Sequence, residues 1–124
     1  MPPRKLYSSI VFILSIIITG CKSYSYYPNY LDRAQWQSDS LGMECYRESI
    51  VQQVRSDKSL FGLESARFFK IFGKANKTYT RENGEPYVYY YLKDGYEKSK
   101  YITVLLVVFK DNKVFHMLVF RPCG

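Results

Sequence analysis

Apolar and polar positions divide the chain into six patterned stretches joined by polar connections. Residues 6–18 form an apolar run with no charge, interrupted by Ser8, Ser9 and Ser15. In residues 43–54, Met43, Tyr46, Ile50 and Val54 recur at spacings of three, four and four, and Val51 widens the stripe, which predicts an amphipathic helix. Asp39 or Ser40 is placed to cap its start. After Gly62, a second and shorter helix is predicted, with Phe68, Ile71 and Phe72 on one face and Leu63 about a turn earlier. Gly73 falls where a helix takes a left-handed residue at its end, and Lys70 and Lys74 suit the negative end of the helix dipole. Three strands follow. Residues 87–92 are aromatic and β-branched. Residues 101–109 are the most apolar run after residue 20 and predict a buried central strand. Residues 114–120 form the last strand, closed by Pro122. Asn83-Gly84 is the sharpest turn signal in the turn-rich stretch 76–86, and residues 110–113 read as a tight reversal. The order helix, helix, strand, strand, strand predicts an α+β domain, two helices packed on a three-stranded antiparallel sheet.

The first apolar run has a different meaning. A membrane-spanning helix needs about 20 apolar residues to cross roughly 30 Å of hydrocarbon, and this run is too short. Arg4 and Lys5 precede it, and Ile18-Thr19-Gly20-Cys21 ends it. That order resembles the bacterial lipoprotein signal: a basic start, an apolar segment, then an aliphatic residue and small residues before a cysteine. The resemblance implies cleavage after Gly20 and lipidation of Cys21, hence attachment to a membrane. In Bacteroidota-like lipoproteins, acidic residues after the cysteine accompany surface export. Lys22-Ser23-Tyr24 stands here instead, which implies an outer-membrane anchor with the domain on the periplasmic face. The chain is then divided into a signal peptide (1–20), a lipidated cysteine with a tyrosine-rich tether (21–38) and an α+β domain (39–124). The tether tyrosines have two readings, at the membrane interface or packed back onto the domain. Trp36 is expected to cap the core.

Composition changes this picture little. Basic residues number 18 and acidic residues 11. With Arg4 and Lys5 removed alongside the signal, sixteen basic residues face eleven acidic ones, a net charge of about +5. The excess is compatible with anionic lipid head groups or an acidic partner. It is scattered rather than clustered, so nucleic acid is not the expected partner. Of the three cysteines, Cys45 and Cys123 remain after lipidation, either as a disulfide in an oxidising compartment or as two buried free thiols.

Leu60-x-Gly62, then Phe68, then Ile71-Phe72-Gly73-Lys74, a tyrosine-rich strand and a hairpin at residues 109–114 together resemble small bacterial lipoproteins of the BamE (SmpA/OmlA) type. That family's domain is a pair of helices on a three-stranded antiparallel sheet, similar in plan to the repeats of β-lactamase inhibitor proteins. Upstream, Trp36-x-x-Asp39-x-x-Gly42 and Tyr46-Arg47 resemble lipoproteins of the Bacteroidota with the same plan. The likeness spans about residues 36–121. It departs at the end of the second helix, where the family's Leu-Gly-x-Pro is Phe72-Gly73-Lys74-Ala75, and at the helix start, where Glu64 precedes Ser65. The resemblance implies an accessory role near outer-membrane protein assembly. Its inhibitor-like plan implies, as an alternative, an inhibitor or immunity protein that binds an enzyme through its sheet face.

No catalytic motif is present: no Gly-x-Ser-x-Gly, His-Glu-x-x-His, Cys-x-x-Cys or phosphate-binding glycine loop. His116 is the only histidine, expected as a half-buried structural residue beside Val114, Leu118 and Phe120, with no second histidine for a metal site. The expectation is a non-enzymatic protein without cofactor or metal. The candidate surface is the first strand, where Tyr87, Tyr89 and Tyr91 share one face and Val88, Tyr90 and Leu92 the other. One face must lie under the helices. The other either meets a protein partner, as tyrosine-rich surfaces do, or is covered by the tether. If Cys45 and Cys123 are joined, reduction of the mature protein adds two hydrogens to its mass; an unchanged mass removes the bond.

Overall fold

A computed structural model describes residues 26–122. The expectations for the signal, for Cys21 and for Cys123 lie outside the described residues. The elements are α1 (Arg33–Ser38), α2 (Tyr46–Ser56), a 3-10 turn (Lys58–Leu60), α3 (Ser65–Phe72), β1 (Lys77–Thr80), β2 (Pro86–Lys93), β3 (Thr103–Lys110) and β4 (Lys113–Phe120). The four strands make one antiparallel sheet in chain order. The α+β class holds, but the sheet has a fourth strand and the helix layer a third helix.

Both additions came from stretches without an apolar period. β1 is a short edge strand whose four residues are all exposed, so no alternation announces it. Pairing holds it, with Lys77 opposite Tyr89 and Tyr79 opposite Tyr87. α1 spans six residues, begins where the Asp32 carboxylate accepts from the Gln35 amide, and buries only Trp36. Leu31 and Trp36 belong to the core, so the folded unit begins before residue 39, inside the stretch expected as tether.

The β3–β4 reversal is a two-residue turn in which Asp111 and Asn112 both take positive φ, 52° and 63°. That is the mirror-image turn whose twist suits a hairpin. Phe115 is then an extra residue in β4: Val108 faces His116 while Phe109 faces Val114. The bulge reverses the side-chain alternation, so Val114 turns into the core and His116 to the opposite, exposed side. The expected grouping of Val114 with His116 is corrected accordingly.

The helices cover one sheet face. Val88, Tyr90 and Leu92 of β2 and Leu105, Val107 and Phe109 of β3 pack with Trp36, Ile50, Val54, Phe68, Ile71 and Phe72. Phe68 is the aromatic centre, with ring centroids 4.6 Å from Phe72, 5.8 Å from Phe109 and 6.1 Å from Tyr90. α3 ends at Gly73, φ 79°, whose amide donates to the Phe69 carbonyl. The Gly73 carbonyl accepts from the buried Tyr90 hydroxyl at 2.7 Å.

A polar knot ties helix layer to sheet. Arg47 is 2% exposed, and among the described residues no carboxylate oxygen lies within ion-pair distance of it. Its Nε donates to the Trp36 carbonyl at 2.8 Å, and its Nη1 to Asn76 Oδ1 at 2.8 Å and the Tyr91 carbonyl at 3.1 Å. The guanidinium lies over the Trp36 ring at 5.0 Å and the Tyr90 ring at 5.7 Å. Desolvation lowers its pKa to about 10, partly offset by nearby Asp39, so it stays a cation at neutral pH. Asp39, also buried, accepts from the Glu44 and Arg47 amides at 2.8 and 2.9 Å and so satisfies a first-turn amide of α2, although that helix starts at Tyr46 and Cys45, rather than the expected Asp39 or Ser40, holds its N-cap position. Gly42 completes the knot. Its φ is +69°, and a Cβ there would stand 2.4 Å from the Lys93 amide nitrogen and 2.5 Å from the Leu92 carbonyl carbon. The residues that carried the upstream resemblance, Trp36, Asp39, Gly42, Tyr46 and Arg47, are thus packing residues.

Gly42→Ala meets backbone that cannot give way and is expected to destabilise by about 3 kcal/mol or more. Gly84→Ala, at φ +86° with open space around it, is expected to lose about 1 kcal/mol. Urea unfolding of the two variants beside the parent measures the difference.

Candidate functional site

The sheet face opposite the helices lies outside the helix-side core, and only Val104 on it is fully buried among the described residues. Register places Tyr79 of β1, Tyr87, Tyr89 and Tyr91 of β2, Val104, Leu106 and Val108 of β3, and His116, Leu118 and Phe120 of β4 on it. A run of side chains this apolar on a solvent-facing sheet is unusual for a protein that meets only water. Tyr79 is 40% exposed and Leu118 39%, while Tyr87, Tyr89, Leu106, Val108 and Phe120 are half-buried against one another.

The aromatic rings make a connected row. Tyr79 stacks on Tyr87 with centroids 5.2 Å apart and planes 21° from parallel, and lies 5.0 Å from Tyr89. Tyr89 meets Phe120 edge-to-face at 5.7 Å. Such pairs contribute about 0.5–1.5 kcal/mol each beyond their buried area, so the row is ordered without a partner. Desolvation, then the neighbouring phenols Tyr87 and Tyr79, raise the Tyr89 pKa. Lys77 and His116 are exposed on the same face.

Two of the three tyrosines named from sequence, Tyr87 and Tyr89, therefore join this row. Tyr91 does not. It turns toward the β2–β3 connection, where a Cβ on Gly95 would approach its ring to 2.6 Å. Tyr79, Leu106, Leu118 and Phe120 were missed. β3 was expected as a strand buried on both sides, whereas only Leu105, Val107 and Phe109 lie under helices. The signal lay in the even-numbered positions of β3 and β4, which no helix in the sequence was free to cover.

The described part of the tether does not cover this face. It folds onto the helix side. The Tyr26 and Tyr30 hydroxyls both donate to Asp57 Oδ2, the latter at 2.8 Å. Arg67 Nη2 donates to the Tyr26 carbonyl at 3.3 Å, and the Leu31 amide to the Pro28 carbonyl at 3.2 Å. Both rings pack against the core. Asp57 also accepts from the Ser59 amide at 3.0 Å, so one carboxylate joins the tether to the end of α2 and to the 3-10 turn. Burial first, then the hydrogen bond and negative charge of Asp57, push the Tyr26 phenol up to about 12, and the same causes raise Tyr30.

Other candidate features are shallow or already occupied. A cleft of about 520 Å³ beside the knot is lined by Arg33, Gln37, Arg47, Lys74 and Asn76 among others, but Arg47 and Asn76 are committed to each other and to backbone. Among the described residues, no group of three His, Cys, Asp or Glu side chains is placed to hold a metal, and no helix is long and apolar enough to cross a membrane. Cys45 is exposed, at φ 68° before α2, which removes the alternative of two buried free thiols; its pairing with Cys123 lies outside the described residues. His116 is exposed rather than half-buried. Compared with known proteins, the chain matches no family model, no curated protein and no solved structure.

A hydroxyl hydrogen bond to a carboxylate contributes about 1–2 kcal/mol, so Tyr26→Phe is expected to lower stability by about 1 kcal/mol, given partial exposure. The folded-state pKa of Tyr26 is raised, so this contribution is complete below about pH 10 and is lost as pH rises through about 12. The stability gap between parent and variant in urea is expected to be constant from pH 7 to about 9.5 and to close above it. A gap that widens with pH refutes the assignment.

Proposed function

We propose that the protein is a non-enzymatic, lipid-anchored binding protein of the cell envelope, which presents its open sheet face to a protein partner on the periplasmic side of an outer membrane. One observation carries the proposal: an ordered tyrosine and aliphatic face that neither the helices nor the described tether covers. Tyrosine rings in such a setting supply large contact area with little conformational freedom to lose. The lipobox-like order Ile18-Thr19-Gly20-Cys21 supports the anchor, and the resemblance in plan to the BamE type supports an accessory role near outer-membrane protein assembly.

The test is in-cell photo-cross-linking from position 118, at the rim of the face, in the native lipidated chain. A component of the barrel-assembly machinery is expected, with capture reduced at least about ten-fold in a Tyr79→Ser, Tyr89→Ser double variant that keeps its fold. Capture that ignores both substitutions, or no reproducible capture, overturns the role of the face. Capture of a single enzyme whose activity falls stoichiometrically overturns the accessory role in favour of an inhibitor.

A further inference from the structure

We infer that the pole of the domain formed by Tyr26, Tyr27, Lys58 and Phe61 rests on an anionic phospholipid surface. The inference rests on the lipid-anchor reading and adds the orientation of the domain, which that reading leaves open.

The first argument is length. The clasp fixes Tyr26 to the domain at three places: its hydroxyl on Asp57, its carbonyl under Arg67, and its ring on the core. Four residues separate it from Cys21. Five Cα steps span at most about 18 Å. A domain of this size has a radius of gyration of about 12.5 Å and is therefore some 30 Å across. The tether is shorter than the body it holds. The clasp must stay beside the membrane, and the inverted orientation is out of reach.

The second argument is the chemistry of the pole. Asp57 and Ser59, which meet the Tyr26 phenol, flank Lys58. Lys58 is exposed, and so are the rings of Tyr27, at 45%, and Phe61, at 39%. Exposed aromatic rings beside basic side chains suit the headgroup layer, where the ring is partly buried and the cation meets phosphate. The carboxylate nearest the pole, Asp57, is turned inward on two phenols. Glu64 lies toward the β3–β4 hairpin, where its backbone bridges Lys113. Lys22, next to the lipidated cysteine, has the same sign as the pole.

The geometry supplies its own control. α2 runs from the 41–45 loop, where the Leu41 carbonyl accepts from the Gly95 amide at 2.7 Å, to the clasp at Asp57. Eleven helical residues separate the α2 start, beside which Gly95 is held, from the clasp by about 16 Å along the helix axis. Lys98 on that connection is exposed like Lys58.

The lipidated full-length mature protein, bound to vesicles of phosphatidylethanolamine with phosphatidylglycerol, is treated with a water-soluble lysine-acylating reagent, and each site is read by mass spectrometry. Relative to the mature chain 21–124 made without the signal and with Cys21→Ser, free in solution, Lys58 is expected to react more slowly by roughly three-fold or more while Lys98 is unchanged. Equal rates at both sites, or protection of Lys98 instead, overturn the orientation. Equal protection of Lys58 on phosphatidylcholine vesicles overturns the requirement for anionic lipid. Vesicle flotation separates this inference from the reading beneath it. If the Cys21→Ser chain floats as well as the parent, the lipid anchor fails. If flotation needs Cys21 but the two lysines are equivalent, only the orientation fails.

Discussion

A single buried cation sets the geometry of the domain. Arg47 has been taken out of water without a carboxylate in contact, an arrangement that is unfavourable unless every donor is used. Its donors reach the end of α1 through Trp36, the start of β1 through Asn76, and the outer part of β2 through Tyr91. The faces of Trp36 and Tyr90 replace part of its hydration. A guanidinium meets those demands because its fork is planar and its charge diffuse, whereas an ammonium would satisfy one or two of them. Asn76 extends the same network: its side chain donates to the Ser40 carbonyl at 2.6 Å and accepts from the Tyr91 amide at 2.8 Å. The knot therefore pins the short α1, which six residues could not hold by helix propensity, and the segment that delivers the chain into the edge strand.

Once the helix side is closed by this knot and by the Phe68 cluster, the two faces of the sheet are chemically different for a reason. Three helices of 6, 11 and 8 residues can cover one face of a four-stranded sheet and no more. The opposite face must then be polar, or be covered by something else, or stay ordered through its own contacts. The rings of Tyr79, Tyr87, Tyr89 and Phe120 take the third course. Each ring packs against a neighbouring ring, so the face is ordered through its own contacts.

What was legible in the sequence followed periodicity, and what was not followed pairing. α2, α3 and the three long strands announce themselves through Ile50 and Val54, through Phe68 and Phe72, and through the apolar run at 101–109. The Asp111-Asn112 reversal was readable because few residues accept positive φ there. β1 was illegible because Lys77-Thr78-Tyr79-Thr80 gains its order from β2 and buries nothing. α1 was illegible because its single apolar residue, Trp36, carries no period. The bulge at Phe115 was hidden as well, and it decides which way His116 points. For the candidate site, the alternation of Tyr87 and Tyr89 against Val88 and Tyr90 correctly separated two faces, but sequence could not say that Tyr91 would fold toward Gly95, or that β3 would leave Leu106 and Val108 uncovered.

The clasp and the open face divide the work between the two sides of the sheet. Tyr26 and Tyr30 hold the tether on the helix layer at the C-terminal end of α2, with Asp57 as their common acceptor. A tether that entered on the sheet side would have had the same tyrosines to offer and would have covered the rings of Tyr79 and Tyr89. Because Asp57 stands on the helix layer, residues 26–30 are held on that side, and among the described residues the aromatic row stays clear of them. The placement of one carboxylate thus decides on which side of the sheet residues 26–30 are held.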